Sequence, residues 1–305
     1  MHRSIRRAAQ ALPAICGVAV IAAAPAQAAR STTQSVKLRF AAVAGGHPVT
    51  CGRLIQGLGT THQGAQLQDL RFYVTDVELL RRKGSPVRIT LRGGAPYQVI
   101  RKGKSVTLID LENGTGACKA AGTPGTNPFV QGTVPRGTYT GVRFTVGVPP
   151  ALNHTDTVSA PAPLNVDAMA WSWQYGRKFM RIEFVDPGGP TGAWPAHQFL
   201  VHLGSTGCSG NPATGQAAGC TALNMPVVVL NHFNLQRQLV ALDLGKLLAG
   251  DDITVNRADE PGCMSGPTDP ECGSVFGALG LSWRTDGRGT GRSTGKQDVF
   301  GAMTR

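Results

Sequence analysis

The sequence lacks the patterns that mark several common chemistries. It has no Cys-x-x-Cys-His, which excludes covalent attachment of a c-type haem to this chain. It has neither a Cys-x-x-Cys pair nor a His-Glu-x-x-His string, so the usual zinc frameworks are missing. Gly204-Ser-Thr-Gly207 lacks the Gly-Lys-Ser/Thr ending of a phosphate-binding loop. Ser205 and Thr206 stand beside His202, yet no Gly-x-Ser-x-Gly elbow surrounds Ser205 and no acid partner presents itself. Acids are scarce too, 18 against 30 Lys and Arg, for a net charge of +12. That charge is diffuse. Its short clusters, Arg81-Arg82-Lys83 and Arg284–Arg292, carry no interleaved aromatics, which argues against nucleic-acid binding. Beyond the N-terminus no apolar run approaches the roughly 20 residues of a membrane span.

What is present begins with a leader. Arg3, Arg6 and Arg7 precede an apolar run from Ala8 to Ala24, and Ala26-Gln27-Ala28 has the small-x-small form of a cleavage site. Residues 1–28 therefore read as a secretory signal peptide, and the mature chain as exported, periplasmic or extracellular. Its loss removes three arginines and lowers the formal charge to +9. Cys16 leaves with it, and Ile15 before that cysteine is a poor residue for lipoprotein processing. Six cysteines remain, Cys51, Cys118, Cys208, Cys220, Cys263 and Cys272, enough for three disulfides in an oxidising compartment. Cys51–Cys118, Cys208–Cys220 and Cys263–Cys272 is the preferred set, because the last two pairs close short local loops.

Alternating apolar segments recur between Gly, Pro and Asn punctuation: residues 36–43, 70–80, 87–91, 105–110, 138–147, 170–173, 179–184, 198–203, 226–230 and 239–244. Short strands at this spacing predict an all-β fold, a single-domain β-sandwich or partly open barrel with long loops. Helix is restricted to short pieces at 244–249 and 272–279. The segments 149–163 and 204–224 read as long loops, each bordering a histidine, and loops on a rigid scaffold are the usual place for a site. The domain is expected over residues 29–283, followed by a mobile basic tail over 284–305.

Trp171-Ser172-Trp173 is the most distinctive string. On a strand, residues two apart share a face, so both indoles would point the same way. Core packing explains such a pair on its own. Asp69-Leu-Arg-Phe-Tyr-Val-Thr-Asp-Val77 is also conspicuous, and its Arg71, Tyr73 and Asp76 are expected to cross-link strands.

Several strings occur together and in order: Cys51-Gly52, Asp69–Val77, Leu108–Cys118, Gly141–Pro149, Leu152-Asn-His154, the Trp171 segment, His202–Cys208 and Cys263–Cys272. In this set, spanning about residues 36–283, the chain resembles the MbnP-like family of exported copper-binding proteins encoded beside methanobactin operons, the four-cysteine member of the metallo-mystery pair. The resemblance implies one copper ion held as copper(I). It also implies a partner, a MauG-type dihaem cytochrome c peroxidase, that oxidises the first tryptophan of the Trp-x-Trp motif to kynurenine. That residue is Trp171 here, with Trp173 its structural neighbour. The chemistry supplies a reason for the modification: an indole N–H only donates, whereas kynurenine offers an aryl amine and a ketone.

Copper(I) favours imidazole and sulfur donors over carboxylates. With the cysteines consumed by disulfides, histidine and methionine remain; His154 and His202, which lie within the motifs that carry the resemblance, are the ligands it implies, with His232 the reserve and Met264 and Met169 possible thioether donors. His47, His62 and His197 match no motif. The expected protein is not itself an enzyme; it binds copper for homeostasis or uptake, with a copper donor or transporter of unspecified kind. Two rivals remain at this stage, a metal-free secreted β module that binds through exposed aromatics, and a copper redox enzyme.

Overall fold

The computed structural model describes residues 31–94, 96–171, 176–211 and 216–305. The predicted leader, and Trp173 with its neighbours 172–175, lie outside the described residues. Thr33–Arg305 forms one compact unit.

Two sheets build it. The first has six strands and is centred on Thr33–Ala44, which runs antiparallel to Phe129–Pro135 and parallel to Gln238–Asp243. The second has ten strands gathered around Gln63–Leu80, an 18-residue strand with paired neighbours along both edges. Four phenylalanines join the sheets. Phe40 and Phe300 come from the first, Phe72 and Phe144 from the second, and they meet edge to face with ring centroids 5.5–5.7 Å apart. The predicted all-β sandwich is thus the observed fold, without barrel closure. Both faces of the long strand are covered, so residues 67–77 are buried almost without a break rather than in alternation.

Most predicted strands form. The exception that matters is 170–173: Ala170 makes only an isolated bridge to Arg177, and Trp171 is in no strand. The expected loop at 204–224 contains a hairpin, Thr206–Asn211 against Gln216–Ala222, a two-stranded sheet of its own. The mobile tail is also corrected. Phe300–Thr304 pairs with Gln238–Asp243, and Val299 and Phe300 are buried, because this strand supplies a ring of the inter-sheet core. The three disulfides are the expected ones.

One feature of the large sheet sets up the site. At Tyr73 the long strand changes partner along one edge, from Gly141–Val146 to Met180–Val185. Gly147 N–H donates to Tyr73 O at 2.8 Å, and Tyr73 N–H donates to Phe179 O at 2.8 Å. Residues 148–178 therefore leave and re-enter the sheet at a single residue. Tyr73 also ties the excursion from within, its hydroxyl donating to Pro163 O at 2.8 Å. Asp76 meets Arg88 across strands at 3.0 Å, so the Asp69–Val77 string is structural as expected.

Below this point lies a buried acid, Asp110, near Arg71, Glu112 and Asp69. Burial, reinforced by Glu112, pushes its carboxyl from 3.8 up to about 8, and one of its oxygens has no hydrogen-bond partner. The folded state thus holds a proton that the unfolded chain releases near pH 4. Stability from this group is full below that pH and is lost as pH rises towards 8. Asp110→Asn keeps the shape without the charge. It is expected to match the parent most closely below about pH 4 and to exceed it by about 1–3 kcal/mol at pH 8, read from urea midpoints.

Candidate metal centre

The excursion carries both His154 and Trp171, and it sets the Trp171 ring beside His202. His154 follows a short helix, Pro150–Asn153, that opens on a proline at its first turn, where no N–H is needed. Arg177 fixes this segment. Its guanidinium is buried without a carboxylate partner and donates instead to carbonyls: Leu164 O at 2.9 Å, Thr155 O at 2.5 Å and Asn153 O. Its backbone N–H donates to Asn153 Oδ1 at 2.8 Å, which turns the amide Nδ2 towards His154.

His154 is 6% exposed, and burial followed by the nearby Arg177 charge holds its pKa below the ordinary value, so it is neutral at pH 7. Nε2 lies 3.2 Å from Asn153 Nδ2 and 3.4 Å from Cys220 Sγ. Nδ1 is buried with no hydrogen-bond partner among the described residues. It faces Gly176, where an added Cβ would stand 2.9 Å from it, and Gly176 O accepts the Trp171 backbone N–H at 2.7 Å.

Trp171 is half-buried. Its six-membered ring rests on Gly204, where a Cβ would come within 2.6 Å of Cζ3, so only glycine admits the indole. Gly204 is itself pinned: its N–H donates to Ser265 Oγ at 3.0 Å, its carbonyl accepts from Asn224 Nδ2 at 2.6 Å, and Ser265 Oγ donates to His202 O at 2.9 Å. The Trp171 and His202 rings stand edge to face with centroids 6.4 Å apart.

His202 belongs to two charged rows written across three strands. Register pairs Arg181 with both Arg71 and His202, and Glu183 with Asp69. Strand alternation then puts the basic and acidic rows on one face. His202 Nε2 is 2.7 Å from Glu183 Oε1; Glu183 receives Arg181 Nε at 2.6 Å; Arg181 reaches Asp69 at 3.2 Å; and Asp69 is paired with Arg71. Burial pushes the Glu183 carboxyl up, but the His202 and Arg181 hydrogen bonds outweigh it and hold it down at about 2. Glu183 is therefore a pure acceptor. Burial also lowers the His202 pKa, against the pull of Glu183, so the neutral ring donates through Nε2 and carries its lone pair on Nδ1. A carboxylate set behind a histidine in this way fixes tautomer and orientation for a metal on the other nitrogen. For a metal ion held on that nitrogen, Glu183→Gln is expected to weaken binding by roughly 10–100-fold, measured by chelator competition.

The remaining candidates do not join this group. His232 is exposed, at the far end of the Gly141–Val146 and Val227–Asn231 ladder from Gly147, about 17 Å away at strand rise. Met169 is wholly buried in the core. Met264 is half-buried, its N–H given to Asp269 at 2.9 Å, with no described contact to either histidine. Glu183, Asn153 and Arg177 were missed by sequence reasoning, since strand register and a loop crossing bring them in. The hydrolase pattern stays unsupported: Gly291-Arg-Ser-Thr-Gly295 has the elbow spacing, but Ser293 sits in an isolated bridge and its Oγ accepts from Val227 N, not at a strand-to-helix turn. Among the described residues no helix is long and apolar enough to cross a membrane.

Comparison with known proteins gives the family and the fold. The MbnP family model matches residues 33–265. Among solved structures, MbnP from Methylosinus trichosporium superposes with a TM-score of 0.78 and 35% sequence identity, over 90% of this chain and 99% of that one. No curated protein matches.

Proposed function

The chain belongs to the MbnP family, and from that premise we propose that it is an exported copper(I)-binding protein of copper homeostasis or uptake, associated with a methanobactin operon. In this reading Trp171 is oxidised to kynurenine by a partner MauG-type dihaem peroxidase, and the protein is a substrate of that enzyme rather than an enzyme. Opening of the pyrrole ring leaves an aryl amine and a ketone where an indole N–H had no lone pair to give.

The observation that carries the reading is a pair of buried imidazoles beside the Trp171 and Gly176 backbone: His202 lies against the Trp171 ring, and His154 Nδ1, without a hydrogen-bond partner among the described residues, faces Gly176. An unpartnered buried ring nitrogen calls for an explanation. Neutral imidazole donors suit copper(I), so the donor set fits the metal. His154, His202 and the modified Trp171 would hold it, and bound copper(I) would be the cargo. The chain's own residues prepare the place: Glu183 sets the His202 tautomer, Arg177 holds the His154 segment, and Gly204 admits the aromatic ring.

Copper(I) titration tests the proposal. Protein co-produced with its peroxidase should take one copper(I) ion and stay silent in electron paramagnetic resonance. Equal copper(I) binding by Trp171→Phe would contradict the role given to Trp171.

A further inference from the structure

We propose that the Cys208–Cys220 disulfide covers a second metal site, one that opens on reduction and holds a thiophilic d10 cation between the two thiolates and His154 Nε2. The ligand atoms of His154, Cys208 and Cys220 already lie within 4.8 Å of one another. A tetrahedral centre with the usual metal–sulfur and metal–nitrogen lengths separates sulfur from nitrogen by roughly 3.6 Å and the two sulfurs by about 3.8 Å. Cys220 Sγ and His154 Nε2 are 3.4 Å apart, so that edge of the tetrahedron is in place. The sulfurs must part, and Cys208 Sγ must come as close to Nε2 as Cys220 Sγ already is.

Three features make this disulfide different from the others. Cys208 and Cys220 are half-exposed, whereas Cys118, Cys263 and Cys272 are at most 1% exposed and Cys51 is 8% exposed. The two cysteines are direct cross-strand partners in a hairpin that forms its own sheet, with Thr206↔Ala222 and Ser209↔Gly219 on either side. Those pairs keep the thiols opposed after cleavage and leave the sandwich untouched. The imidazole is aimed by the fold: Arg177 N–H takes Asn153 Oδ1, so Asn153 Nδ2 points at His154 Nε2 and marks it as an acceptor with its lone pair on the sulfur side. Metal binding exchanges that hydrogen bond for a metal bond.

The opening step needs a two-electron dithiol reductant. One of its thiolates attacks a sulfur of the disulfide and its second thiolate resolves the mixed disulfide, so the reductant leaves oxidised and Cys208 and Cys220 leave as thiols. Metal capture then releases their two protons. A neutral imidazole has one lone pair, which the Asn153 contact places on Nε2; a metal on Nδ1 requires the other tautomer, so this site and the Trp171-side site compete for His154. That competition rests on the proposed copper function; the thiol site itself does not depend on Trp171.

The test uses the full chain, reduced mildly by a dithiol that is then removed without oxygen. Alkylation and peptide mapping should find Cys208 and Cys220 modified first. Zn2+ should bind the reduced chain at least roughly a hundredfold more tightly than the oxidised chain, with thiolate charge-transfer absorption when Co2+ is the probe. His154→Ala should lose more than roughly tenfold of that affinity, while Trp171→Phe retains it. In the parent chain, Zn2+ should shift the His154 ring nitrogen resonances, which guards against an unfolded variant. Equal Zn2+ affinity of the two redox forms, prior labelling of another cysteine pair, or unmoved His154 resonances would each overturn the proposal. A failure here with intact Trp171-dependent copper binding leaves the function standing; loss of Trp171-dependent binding with this result intact removes only the function.

Discussion

Arg177→Met lowers the stability of the chain by about 3 kcal/mol and weakens copper(I) binding even where the variant is fully folded. The carbonyls of Leu164, Thr155 and Asn153 lose a common donor, at about 1–3 kcal/mol for each buried group left unpartnered. Part of that loss is offset, because a buried charge without a carboxylate partner is no longer held out of water. The functional effect follows from position. Arg177 follows Gly176 and holds both ends of the excursion, so its removal frees Asn153 and with it the His154 ring. Urea denaturation reads the first effect and copper(I) competition below the transition reads the second. A change of less than about 0.5 kcal/mol, the range of an ordinary surface substitution, would show that the guanidinium is not the clamp described here.

His154→Ala and His202→Ala each reduce copper(I) affinity by more than roughly a hundredfold, beyond the range expected for loss of an outer residue such as Glu183. The two substitutions differ in what else they do. His154 accepts one neutral hydrogen bond, from Asn153 Nδ2 at Nε2, and no described group bonds its Nδ1, so its truncation removes that single bond. His202 is the partner of a buried carboxylate, and its loss leaves Glu183 with Arg181 alone. His202→Ala should therefore also destabilise the chain, by about 1–3 kcal/mol. His232→Ala should change neither property.

The alternation of Val36–Val43 made its strand legible, with one face buried in a period of two, whereas Gln198–Leu203 and Gln238–Asp243 were legible as short apolar runs and are buried almost throughout. The long central strand was legible only in part, since its two covered faces remove the alternation. The C-terminal strand was hidden by composition: Gly, Arg, Ser and Thr dominate residues 284–295, yet Phe300 supplies a ring to the core. His154 and His202 were visible through their motifs. What surrounds them was not. Glu183 and Arg181 reach His202 through strand register, and Arg177 reaches Asn153 across a gap of 24 residues, neither of which has a local signature. The Trp171 strand failed for a physical reason as well. The backbone at 171 and 176 closes on itself, Trp171 N–H to Gly176 O, instead of joining a ladder.

The central claim is that Trp171 becomes a ligand by oxidation, and mass spectrometry of the Trp171 peptide addresses it most directly. Protein co-produced with its dihaem peroxidase should show the mass gain of indole-to-kynurenine conversion at Trp171 and an unchanged Trp194, which is buried in the core. An unmodified Trp171 in protein that has met an active peroxidase would contradict the account.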